Sequence, residues 1–139
     1  MASHKDPDVE PATRDAIVAR LSDADAVVEI AIGNRTEIAA ALAEHGVDVT
    51  ATDVRERAVP AGVAFVRDDL TDPDLAIYRG ADRLFAQNLP AELQRPAREL
   101  AEACGAALFF TTLGAEEPVI DVTREALPGE TLYRAAGAP

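Results

Sequence analysis

The stretch VVEIAIGNRTEIAAALAEHGVDVTATD, residues 27–53, decides the fold. Its first six residues are mostly β-branched or apolar, which suits a pleated, half-buried surface and predicts a strand over 27–32. NRTEIAAALAEHG then reads as a helix: Asn34 and Glu37 stand at capping-box spacing, and Gly46 falls where a left-handed C-terminal residue belongs. VDVTATD, residues 47–53, predicts a second strand. Strand, helix and strand in this order imply two parallel strands joined by a right-handed crossover. One residue does not fit the pattern: Glu29 is an acid inside an apolar run.

Outward from this unit the alternation continues. TRDAIVARLSDA, residues 13–24, reads as a preceding helix with Ile17, Val18 and Leu21 on one face. VAFVRDD (63–69) and DRLFAQ (82–87) predict a third and a fourth strand. A helix follows over AELQRPARELAEACG, its first turns disturbed by Pro96, and then a fifth strand over AALFFTT, 106–112. PVIDV and ETLYRA are expected to close the chain as an antiparallel hairpin around Leu127-Pro128-Gly129. The polar residues 1–10 read as a mobile tail, and 11–139 as a single domain. The alternation predicts an α/β, three-layer Rossmann-like domain with a parallel sheet of strand order 3-2-1-4-5. In such sheets ligands sit outside the carboxyl ends of the strands, where strand order reverses.

Bulk composition narrows the function classes. No apolar run approaches the roughly 20 residues that a membrane helix needs, and MASHKDPDVEP lacks the apolar core of a secretory signal, so a cytoplasmic protein is expected. Cys104 is the single cysteine, and the two histidines, His4 and His45, are far apart, so no metal site is expected. Cys104 fits a small hydrophobe at a helix end, and His45 the last turn of its helix. A net charge of −12 disfavours nucleic acid as a partner. Yet twelve arginines against one lysine, Lys5, with thirteen aspartates, resemble the composition of proteins from a halophilic, high-salt cytoplasm. There the carboxylates keep the surface hydrated while salt screens their repulsion, and the acidity reports the solvent more than the ligand.

Several residues can carry chemistry at the strand ends. Asp53 ends the second strand 20 positions after Gly33, the separation at which nucleotide-binding α/β folds place a carboxylate on ribose hydroxyls. The competing reading is a solvated or helix-capping Asp. A dinucleotide fingerprint is not met, because its three glycine positions hold Ala31, Gly33 and Thr36. Asn34 and Glu37 are moreover placed to occupy donors that a pyrophosphate would need. Glu29 has no use in a pyrophosphate site, but an acid near the end of strand one suits a cationic ligand group; the competing reading is a structural carboxylate satisfied by backbone N–H groups near the loops.

Glu29-Ile30-Ala31-Ile32-Gly33 resembles the first motif of S-adenosylmethionine-dependent methyltransferases. The resemblance implies that Glu29 serves the amino end of the methionine moiety, Asp53 the ribose, and Asp69, in VRDDL, the adenine amino group. Asn88-Leu89-Pro90 ends the fourth strand where amino-group methyltransferases place an Asn or Asp before prolines and an aromatic. Here only Asn88 and Pro90 agree, and Pro90 also fits as a plain helix start.

VVEIAIGN, GVDVTATD, VRDDLTDP, YRGAD, PAELQ and LGAEEP together resemble a small archaeal family of uncharacterised, methyltransferase-like proteins over about residues 12–118. The chain departs from the methyltransferase pattern at Ala31 and Arg35, where glycines are usual, and from the archaeal family at Asn88-Leu89, where Arg-Pro-Pro is expected.

The leading expectation is a binder of S-adenosylmethionine or S-adenosylhomocysteine through Glu29, Gly33, Asn34, Asp53 and Asp69, with Asn88 as the candidate catalytic residue. A homodimer or a partner protein would supply acceptor recognition. The alternatives are a non-catalytic binding or regulatory module on the same scaffold and, third, a nicotinamide-dependent oxidoreductase. Glu116 and Glu117 read as a solvated acidic loop.

Overall fold

The computed structural model describes residues 9–137. The mobile tail expected over 1–10 falls almost wholly outside them, as do His4 and Lys5. The chain begins with helix α1 (Pro11–Leu21), strand β1 (Ala26–Glu29), helix α2 (Glu37–Glu44) and strand β2 (Asp48–Asp53). Strand β3 (Val63–Arg67), the short helix α3 (Leu75–Tyr78), strand β4 (Arg83–Ala86), helix α4 (Ala91–Cys104) and strand β5 (Ala107–Phe110) continue the alternation. Strands β6 (Val122–Leu127) and β7 (Glu130–Ala135) end it.

All seven strands form one sheet in the order β3-β2-β1-β4-β5-β7-β6. The first five are parallel, as expected, with β1 paired to β2 on one side and to β4 on the other. The reversal of strand order therefore lies between β1 and β4. The hairpin is present as well: β6 and β7 are antiparallel, with Leu127 opposite Glu130 across the Pro128-Gly129 turn. Its first strand begins at Val122, four residues after the expected Pro118.

The two faces of the sheet carry separate apolar cores. Ile17, Val18 and Leu21 of α1 and Ile38 and Leu42 of α2 pack with Val27, Val49 and Phe85 on one face. Tyr78 of α3 and Ala97, Leu100 and Ala101 of α4 pack with Val28, Leu84, Leu108 and Phe110 on the other. The alternation of side chains along each strand supplies both faces, which makes central strands apolar throughout. Glu29 lies in that enclosed centre, at the end of β1.

Four expectations need correction. β1 ends at Glu29, before the expected Ile32, because Ala31 takes a left-handed backbone (φ +55°) that a strand does not allow. The capping box is absent: α2 starts at Glu37, so its N-cap is Thr36, with no side-chain cap, and Asn34 stands two residues before that cap. Helix α4 runs through Pro96 to Cys104, ending at left-handed Gly105, so the proline removes one donor without ending the helix. α3 was not expected from sequence, since its four residues are too few to show a helical period; Asp74 starts it by accepting the Ala76 N–H at 3.1 Å. Between β2 and β3, residues 54–62 cross over without a helix.

Candidate functional site

At the carboxyl ends of β1 and β2 the chain turns through two left-handed residues, Ala31 (φ +55°) and Gly33 (φ +60°). Glycine adopts this conformation freely, whereas alanine pays a steric cost of about 1 kcal/mol or more. Next to this turn lies a small cleft of about 120 Å³, walled by Ile30, Ala31, Asp53, Asp68, Asp69 and Leu93 among others. It brings together two of the expected site residues, Asp53 and Asp69.

Asp53 is buried and tightly held. Its Oδ2 accepts the Gly33 N–H at 2.9 Å and its Oδ1 accepts the Arg55 N–H at 3.0 Å. The 20-residue separation read from the sequence is thus a direct contact between the turn and the end of β2. Arg57 stands over the same carboxylate, its Nε 3.4 Å from Oδ2, and its Nη1 donates to Asn34 Oδ1 at 3.2 Å. Asn34, exposed, therefore faces Arg57 rather than its own helix.

Asp69 is exposed, and its Oδ1 accepts both the backbone N–H (2.9 Å) and the hydroxyl (2.7 Å) of Thr71. These bonds favour the ionised form and hold its carboxyl below the usual range. The neighbouring Asp68 is half-buried; its Oδ2 accepts the Tyr78 hydroxyl at 2.7 Å and its Oδ1 the Asp74 N–H at 3.1 Å. Burial, above all, raises the Tyr78 hydroxyl pKa, so that it stays a donor.

Glu29, at the end of β1, does not line the cleft. It is 1% exposed, and neither carboxylate oxygen has a hydrogen-bond partner. Loss of water pushes its carboxyl up to about 8; the nearby Arg35 charge opposes the rise and Glu37 adds to it. An enclosed acid with no hydrogen bond is costly, and the Arg35 charge offsets only part of that cost.

Asn88, at the end of β4, does not line this cleft and takes a left-handed conformation (φ +55°). Its N–H donates to Thr111 Oγ1 at 2.9 Å, and Leu89 N–H donates to the Thr111 carbonyl at 2.8 Å. Gln94, buried in α4, ties this turn to the approach of β6: Nε2 donates to the Leu89 carbonyl at 3.1 Å, and Oε1 accepts the Val119 N–H at 2.8 Å. Glu116 and Glu117 are exposed, the latter paired with Arg124 at 2.9 Å. Cys104 is half-buried, its thiol raised by burial, and His45 Nδ1 lies 2.8 Å from the Ala41 carbonyl at the end of α2.

Sequence reading missed Arg57, Asp68 and Gln94. The Asp68-Asp69 doublet was a signal for Asp68. Arg57 stands four residues after Asp53, a spacing that carries no signal outside a helix, and Gln94 joins Leu89 to Val119, which lies 25 residues away. Among the described residues, no group of three or more His, Cys, Asp or Glu is placed to hold a metal ion, and no helix is long and apolar enough to cross a membrane.

The comparison with solved structures agrees with the fold. An RNA methyltransferase from Salinibacter ruber in complex with S-adenosyl-L-homocysteine superposes with a TM-score of 0.66 at 16% identity, over 93% of this chain and 92% of that one. A Burkholderia thailandensis 1,6-didemethyltoxoflavin-N1-methyltransferase with S-adenosylhomocysteine bound gives 0.56 at 17% identity, over 91% of this chain and 62% of that one. A protein assigned as a zinc-dependent alcohol dehydrogenase, from Rhodobacter sphaeroides, gives 0.59 at 16% identity, over 77% and 48%. The fold is thus a Rossmann-like, methyltransferase-like α/β sheet, and at these identities the likeness speaks of fold alone.

The sequence relationship is narrower. The chain belongs to the uncharacterised protein family UPF0146, whose family pattern matches residues 12–135. A UPF0146 protein of the archaeon Halobacterium salinarum is 49% identical over 114 residues, covering 82% of this chain and 86% of that protein.

Proposed function

We propose that this protein binds an adenosyl ligand, S-adenosylmethionine or S-adenosylhomocysteine, at the carboxyl ends of β1 and β2. The observation that carries the reading is Glu29, enclosed at the end of β1 with no hydrogen bond to either oxygen. A dinucleotide pyrophosphate would meet an acid there; an ammonium group would be drawn to it. In this reading Asp53 takes the ribose hydroxyls, Asp69 offers its Oδ2 to the adenine amino group, and the turn around Gly33 and Asn34 lies along the ligand. The solved neighbours that hold S-adenosylhomocysteine support the same class of ligand.

If a methyl group is transferred, the chain's part is positioning: the sulfonium is already activated, and alignment of the acceptor supplies the rate. Asn88 is the group at hand to accept a hydrogen bond from an acceptor amine. A homodimer or a partner protein would provide acceptor recognition, since the chain has no inserted region for it.

The decisive experiment is calorimetric titration in concentrated potassium chloride with S-adenosylhomocysteine and, separately, NAD. Micromolar binding of the first alone, weakened about tenfold or more by Asp53→Ala, is the expected outcome. Heat with NAD alone would move the reading to a nicotinamide enzyme. Silence from both would leave a non-catalytic scaffold, a second reading favoured by the cleft of about 120 Å³, well under the roughly 300 Å³ at which small-molecule sites begin.

A further inference from the structure

The contacts of Asp53 can be counted against the needs of a ribose. An ionised carboxylate offers about four lone-pair positions, two on each oxygen. Backbone N–H groups take one on each: Gly33 at Oδ2 and Arg55 at Oδ1. Oδ1 keeps one open position. The remaining position of Oδ2 faces Arg57, whose Nε at 3.4 Å makes an ion pair too long and poorly aimed to be a hydrogen bond. A ribose diol that donates two hydroxyls to this carboxylate needs both remaining positions. The backbone donors are main-chain groups at normal hydrogen-bond distance, whereas Arg57 reaches Asp53 with the end of a long side chain that is 24% exposed. Arg57 is the contact that yields, and Asn34 Oδ1, already accepting its Nη1 at 3.2 Å, can keep hold of it.

We infer that Arg57 is a specificity-determining residue of the ribose subsite, competing with the second ribose hydroxyl for Asp53. The inference rests on the adenosyl reading above and deepens it. A ligand with a single sugar hydroxyl uses only the open position on Oδ1 and leaves Arg57 in place. A ligand with a full diol must displace it and binds with part of its affinity lost to that exchange. Because the guanidinium is partly exposed, the exchange is worth about threefold in affinity and is weakened by salt.

The test compares adenosine, 2′-deoxyadenosine and S-adenosylhomocysteine on the whole chain and on Arg57→Ala and Arg57→Gln, from low to high potassium chloride. Adenosine and S-adenosylhomocysteine are expected to bind both variants about threefold more tightly than the parent at low salt, with the gap closing as salt rises. 2′-Deoxyadenosine is expected to bind parent and variants alike. Weaker diol binding by both variants would make Arg57 a support for Asp53 and overturn the inference, as would an equal gain for 2′-deoxyadenosine. If S-adenosylhomocysteine binds but Arg57 changes nothing, this inference alone falls. If no adenosine compound binds parent or variants, the adenosyl reading falls with it.

Discussion

At the end of β4, Gln94 is 1% exposed and uses both ends of its amide, one on Leu89 and one on Val119. Across the sheet centre, at the end of β1, Glu29 is equally enclosed and uses neither oxygen. Both are long polar side chains placed beside the point where strand order reverses. A satisfied amide stitches loops together and contributes to stability; an unsatisfied carboxyl stores a cost that a ligand can relieve. The difference teaches where to look for binding: the acid at the end of β1 is enclosed without a hydrogen bond, whereas the amide beside β4 is fully used.

Removing the stitch should have the largest effect. Gln94→Leu leaves the Leu89 carbonyl and the Val119 N–H buried without partners, and a loss of about 3 kcal/mol in urea denaturation is expected. A loss below about 0.5 kcal/mol would break the comparison from the satisfied side.

Glu29 tests the other side through pH. Its carboxyl ionises near 4.5 when unfolded and near about 8 when folded, so between these values the folded chain holds the extra proton. Stability is then greatest below the lower value and falls as pH rises through the window, by up to about 1.4 kcal/mol per unit, becoming level above the upper one. Glu29→Gln should flatten that slope, because the amide stays neutral. Parallel curves of stability against pH for parent and variant would mean that Glu29 is satisfied after all.

The strained turn between them gives a smaller effect. Ala31→Gly relieves the left-handed alanine, and a net gain of about 0.5 kcal/mol is expected after the greater freedom of glycine in the unfolded chain is counted. The smallest change expected is at the surface pair Arg20–Glu125, where Glu125→Ala should cost less than about 1 kcal/mol. A large loss there would show that the outer hairpin depends on charge rather than on its apolar face.

The fold was legible because its signals are local. The β-branched run at 27–32, Gly46 after α2 and Pro128-Gly129 between β6 and β7 each act through near neighbours. α3 escaped notice because four residues hold no period, and the capping box was misread because Asn34 takes a partner, Arg57, that spacing along a helix does not reveal. Glu29 stood out only by being an acid in an apolar run; Asp53 stood out by its distance from Gly33. Arg57 and Gln94 reach Asn34 and Val119 across 23 and 25 residues, and their nearer partners, Asp53 and Leu89, stand at spacings that announce no contact.

What the sequence by itself determined is the order, kind and direction of the elements, because apolar periodicity and turn residues act over a few residues and right-handed crossovers leave few ways to join them. Only the tertiary structure decided the chemistry of the site. Enclosing Glu29 between neighbouring strands removes its water, and the bond from Arg57 to Asn34, 23 residues away, holds the guanidinium beside Asp53; both depend on segments that the chain brings together only when folded.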